Sequence, residues 1–130
     1  MVATLVAGPP LEPARRAVGR TSSVLVDASR SDRVVPVDAW YPAAVTSAGE
    51  RSWYELLPGV GFTAAAAHEA PVATGPHPLV LWSHGRSGTR CSYALLCEAI
   101  AARGFVVVAP EHGGDSLADW LLGTFVDDDT

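Results

Sequence analysis

Lysine is absent from this sequence: all nine cations are arginine, set against fourteen acidic residues, for a formal net charge of −5. The arginines are scattered, a poor electrostatic match to nucleic acid or to an anionic membrane surface. Cysteine is scarce. Cys91 and Cys97 stand six apart on a predicted helix and point to different faces, which argues against a disulfide or a metal pair and reads as small buried apolar residues. No stretch approaches the roughly eighteen apolar residues of a membrane span. Met1 to Gly8 has neither the charged start nor the long apolar run of a secretory signal, so the expected location is the cytoplasm. There is no internal repeat, and 130 residues suffice for one core but not two. No cofactor and no metal are expected.

What the chain does have is a short, unbroken apolar run, Leu79-Val80-Leu81-Trp82, leading into Ser83-His84-Gly85-Arg86-Ser87-Gly88. Apolar runs without alternation read as strands buried on both faces, as in parallel sheets. Pro78 suits a strand start, where a missing N–H costs no ladder bond. Gly85 and Gly88 are expected to allow backbone angles that a side chain would resist. Next, Ser92 to Arg103 places Leu95, Leu96, Ala99 and Ile100 on one helical stripe, with Arg103 in the last turn and Gly104 as a stop. Phe105-Val106-Val107-Val108-Ala109 is a second buried strand. Strand, helix and strand over about thirty residues form the minimal right-handed parallel crossover.

Upstream, Val18–Asp27 and Arg33–Tyr41 read as two strands joined by a polar turn, an antiparallel hairpin. Pro36 argues for an edge or a bulge in the second strand. Residues 1–17 read as an irregular lead-in. Residues 42–78 carry many Pro and Gly breaks; within them Tyr54–Leu57 and Thr63–Ala70 are expected to form at most a helical turn or two, in an insertion or lid-like loop. Leu117 to Phe125 starts a helix capped by Ser116, and Val126–Thr130 is an acidic ending.

Three constellations carry chemistry. A His-Gly-x-x-Gly turn after a buried strand and before a helix can supply an oxyanion-hole donor, here the backbone N–H of Arg86, with His84, Gly85 and Gly88 shaping the turn. The alternative is a tight turn whose His84 only bonds neighbouring backbone. Gly114-Asp115-Ser116-Leu117 spells a small-esterase signature and makes Ser116 a weak nucleophile candidate. Six residues separate Ser116 from the preceding strand, whereas an elbow serine follows its strand directly, and no histidine comes after His112 to act as its base. A metal site drawn from His84, Glu111, His112 and Asp115 lacks ligand spacing.

Ser83-His84-Gly85 with Gly88, Arg90 and Tyr93, then Arg103-Gly104-Phe105-Val106-Val107 and Glu111-His112, resembles the α/β-hydrolase family. The resemblance is nearest to plasma-type platelet-activating factor acetylhydrolases and bacterial dienelactone-hydrolase-like proteins. Val26-Asp27-x-Ser29-Arg30 and Val37-x-x-Trp40-Tyr41-Pro42 resemble those proteins' opening hairpin. The resemblance implies a partial α/β-hydrolase fold in one incomplete domain, residues 1–130. An antiparallel hairpin would be followed by a parallel crossover in one mixed sheet, with 18–27, 33–41, 79–83 and 105–109 as the first four of roughly eight strands. It implies that His84-Gly85-Arg86 is the oxyanion turn. The family's Ser, Asp and His lie beyond the fourth strand and have no counterpart here. The chain therefore reads as the amino-terminal half of a serine hydrolase acting on a small-molecule acyl ester, inactive alone. A non-catalytic α/β binding module is the alternative. Strand 79–83 would then be a bare apolar edge prone to self-association.

Overall fold

The computed structural model describes residues 16–44 and 49–126; most of the lead-in and nearly all of the acidic ending lie outside them. The strands are β1 (Val18–Asp27), β2 (Arg33–Pro42), β3 (Arg51–Leu57), β4 (Val60–His68), β5 (Leu79–Leu81) and β6 (Val106–Pro110). Two helices, α1 (Ala94–Ala101) and α2 (Leu117–Leu122), complete the fold. All six strands share one mixed sheet in the order β3-β4-β1-β2-β6-β5.

The opening hairpin forms as expected, in unbroken antiparallel register from Val18 opposite Pro42 to Asp27 opposite Arg33. Its turn is a 3-10 step in which the Asp27 carboxylate accepts the Ser29 N–H at 3.0 Å. Pro36 stands where β2 runs past the end of β6, whose ladder starts at Val37. Its carbonyl still accepts the Glu111 N–H at 2.8 Å, so β2 is not an edge there; the missing N–H falls just past the end of the ladder. The crossover is also as expected: β5 pairs parallel with β6, Leu79 opposite Val106 and Leu81 opposite Val108, with α1 between them in the chain.

Residues 51–68 correct the sequence reading. They are two strands, not helical turns in a lid-like loop, and they extend the sheet beyond β1 as an antiparallel hairpin. Side chains on β3 alternate, with Ser52 and Tyr54 buried and Arg51, Trp53 and Glu55 exposed. The polar Ser52 points in and the aromatic Trp53 points out, which masks the period of two in the sequence. The alanine run of β4 has high helix propensity, but pairing to β3 and β1 overrides it. A legible signal was there: Pro58-Gly59 between two runs, with Gly59 at φ 74°, as a turn needing a left-handed second residue requires. The β3–β4 register shifts between Arg51 and Trp53, so that Ala64, Ala65 and Ala66 stand opposite Ser52 alone, a bulge.

The face of α1 is a second correction. Ala94, Cys97, Glu98 and Ala101 are buried, whereas Leu95 is 65% exposed and Leu96 also faces outward. Small side chains let the helix lie close on the sheet, where it joins a core of Trp40, Tyr54, Ala64, Ala66, Cys91, Val107 and Ala109. Cys91 precedes the helix, and both cysteines are free thiols in this one core. Desolvation raises both thiols, Cys97 to about 11, so neither is a ready thiolate.

Two buried carboxylates tie the elements together. Asp38 on β2, with no solvent exposure, accepts from Arg20 at 2.6 and 3.2 Å, from Ser22 at 2.7 Å and from Arg90 at 3.1 Å. Such satisfied pairing is what allows a carboxylate to be buried. Glu98 on α1 accepts the Tyr54 hydroxyl at 2.6 Å and the N–H groups of Ala66 at 3.0 Å and Ala65 at 3.1 Å. Consecutive N–H groups turn toward one acceptor because the bulge takes this stretch out of the β3 ladder. The Tyr54 oxygen in turn accepts Trp40 Nε1–H at 2.8 Å. Burial and the neighbouring Glu98 carboxylate push the Tyr54 phenol well above its ordinary range, so it remains a donor.

Candidate active site

The site lies at the carboxyl ends of the adjacent parallel strands β5 and β6, where open α/β sheets place ligands. Past Leu81, the Trp82 N–H still reaches the Val108 carbonyl at 2.8 Å. Ser83 is then exposed and His84 is buried. The chain reverses through a turn closed by the Gly88 N–H on the Gly85 carbonyl at 3.0 Å.

The glycines do not act as the sequence suggested. Neither Gly85 nor Gly88 has a positive φ; the left-handed residue of the turn is Ser87, at φ 53°. Gly88 is required for space instead. A Cβ there would come within 2.9 Å of the Gly85 carbonyl oxygen and 3.2 Å of the His84 ring. A Cβ at Gly85 would meet nothing within 4 Å, so close packing does not call for glycine there.

Loop 111–117, which follows β6, holds the turn on its other side. The Leu117 N–H donates to the Gly88 carbonyl at 2.8 Å, and Gly88 and Ser116 form a parallel bridge. Glu111 accepts both the Arg90 backbone N–H at 2.8 Å and its guanidinium at 3.2 Å. Arg90 also reaches Asp38, so the residue two places after the turn is fastened to β2 and to the end of β6. Burial works against the Arg90 charge, but Asp38 and Glu111 outweigh it and hold its pKa above the ordinary value.

His84 bonds backbone at both ring nitrogens: Nε2 lies 3.0 Å from the His112 N–H and Nδ1 lies 2.9 Å from the Gly85 carbonyl. Its neighbour His112 packs against it, ring centroids 4.3 Å apart. His112 Nε2 lies 2.7 Å from the Ser83 hydroxyl. Desolvation and the adjacent His84 lower the pKa of His112, against the opposing pull of Asp115. Sequence reasoning did not find this Ser83–His112 pair, because residues 29 apart meet only once β5 and β6 are paired.

Ser116, the weak nucleophile candidate, is the N-cap of α2. Its hydroxyl accepts the Asp119 N–H at 3.2 Å and its backbone N–H donates to Asp119 Oδ2 at 3.1 Å, a reciprocal capping box, and the hydroxyl also donates to that oxygen at 2.6 Å. The cap that the sequence assigned to this helix is therefore present. Among the described residues, no group of three or more His, Cys, Asp and Glu side chains is set to hold a metal ion. Glu111 is committed to Arg90, and His84 to backbone groups. No helix among the described residues is long and apolar enough to cross a membrane.

A mixed sheet with the fourth hydrolase-type strand lying between the second and third, and a His-Gly turn at the end of the third, defines a partial α/β-hydrolase fold. The sequence model for Platelet-activating factor acetylhydrolase, isoform II, matches residues 39–127, and the chain belongs to that family. Among solved structures it is similar to the ferulic acid esterase from Streptomyces cinnamoneus, with 29% sequence identity and a TM-score of 0.71. That likeness covers 85% of this chain but only 37% of the esterase.

Proposed function

We propose that this chain is the amino-terminal part of a serine hydrolase acting on small-molecule acyl esters, to which it contributes half of an oxyanion hole. The Arg86 backbone N–H is the donor, and His84, Gly85 and Gly88 form the turn that carries it. The nucleophile, acid and histidine of the triad come from sequence outside these 130 residues, and the chain alone does not turn over. The observation that carries this reading is the turn itself, braced between β5 and the 111–117 loop at the carboxyl ends of two parallel strands. Family membership and the likeness to an esterase support ester bonds as the substrate class.

The same reading explains the exposed surface. Leu79 and Leu81, at 63% and 72% exposure, lie on the open edge of β5, with Leu95 and Leu96 of α1 also exposed. In the proposed whole enzyme a further strand covers this edge. In the isolated chain it is a template for self-association.

The test compares the chain alone with the chain joined in frame to its downstream coding sequence, using p-nitrophenyl acetate. Turnover is expected only in the joined protein. Arg86→Pro, which deletes the donor N–H, should lower its kcat by about 10²–10³-fold, the usual cost of one oxyanion donor. A stop codon directly after Thr130 in a stably folded protein overturns the reading. So does turnover by the chain alone that is abolished by changing one of its own serines or cysteines.

A further inference from the structure

We propose that His84 is a positioning residue that sets the direction of the Arg86 N–H; this deepens, and rests on, the reading of that N–H as an oxyanion donor. The argument begins at Nε2 of the ring. A backbone N–H, that of His112, points at it from 3.0 Å, so Nε2 must accept and the ring proton sits on Nδ1. Nδ1–H is therefore a donor, and it meets the Gly85 carbonyl oxygen at 2.9 Å. The same oxygen receives the Gly88 N–H at 3.0 Å.

Two donors arriving from different parts of the turn fix the rotation of the Gly85–Arg86 peptide plane. That peptide is planar and trans, so its C=O and N–H point in opposite directions. Pinning the Gly85 oxygen inward, against the His84 ring and Gly88, turns the Arg86 N–H outward. Removal of the His84 bond leaves the plane on one hydrogen bond across a turn whose Ser87 already holds a left-handed φ of 53°. The ring itself is fixed from behind, since its Nε2 bond to His112 ties it to the loop after β6.

The two bonds are separable by substitution. His84→Asn retains an amide N–H near the Nδ1 position and loses the Nε2 acceptor; His84→Gln reaches the Nε2 position and loses the short donor. The readout is the residual dipolar coupling of the Arg86 N–H in an aligned medium, with couplings of β1, β2 and β6 amides fixing the frame. The expected result is a coupling preserved in His84→Asn and lost in His84→Gln, with sheet couplings unchanged in both and His112 amide protection behaving the opposite way. An Arg86 coupling unchanged in His84→Gln overturns the proposal. Loss of the coupling in both variants together with the sheet couplings also overturns it, because His84 is then a general structural anchor. Failure of the oxyanion reading appears separately, as an Arg86→Pro joined protein that retains full turnover.

Discussion

Replacing Glu98 with alanine removes the acceptor for three donors at once. The Tyr54 hydroxyl and the Ala66 N–H are buried and would be left without a partner, at about 1–3 kcal/mol each. Ala65 is exposed, so its N–H can turn to water at smaller cost. The expected loss is about 3–5 kcal/mol, a large share of the roughly 5–15 kcal/mol that holds a domain folded. Glu98→Gln keeps the volume and one oxygen but sets an NH2 group against an N–H donor. The relief of burying no charge offsets part of that, and the expected loss is about 1 kcal/mol. The assay is urea unfolding followed by tryptophan fluorescence and far-UV circular dichroism, with Leu79→Lys/Leu81→Lys as the background to suppress association. Trp40 sits in the network and reports its loss directly. A Glu98→Ala midpoint unchanged at constant m would refute the reasoning. It would mean that water satisfies the bulge as well as the carboxylate does.

Two further outcomes are expected. The parent chain associates through β5, and Leu79→Lys/Leu81→Lys, by opposing about 1–2 kcal/mol of apolar burial per leucine, makes it monomeric in light scattering coupled to gel filtration; a monomeric parent would sink this. Acidification should destabilise the fold as pH falls below the usual histidine value of 6.5. His112 has a lowered folded pKa, so between that value and 6.5 the unfolded chain binds more protons and stability rises with pH. Unfolding curves across this range should flatten in His112→Asn, and an unchanged slope would contradict the assignment.

What could be read in the sequence was what local chemistry decides. The opening hairpin, the β5–α1–β6 crossover and the Ser116 cap each follow from residues adjacent in the chain. The His-Gly-x-x-Gly turn lies after β5, where the sequence put it, but its glycines act differently from the expectation: Gly88 is there for clearance, and Ser87 takes the left-handed angle. The β3–β4 hairpin was missed because its inward positions hold serine and alanine, so hydrophobicity carries no period. The stripe on α1 was misassigned because contact with the sheet selects for small size rather than for greasiness. Of the large apolar residues of that helix, Leu95 and Leu96 are left exposed and Ile100 alone packs against the core. The His84 and His112 contacts, and those of Glu98, depend on pairing between strands and on the bulge, which no single segment encodes.

The bulge on β4 has a consequence for the order of assembly. A two-stranded ribbon with a Pro-Gly turn can close quickly by itself, but this one reaches its final geometry with two amides still turned away from its own ladder. Their acceptor arrives on a helix some thirty residues later in the chain. The ribbon and the helix are thus halves of one cooperative unit, and neither can be in its finished state while the other is still searching.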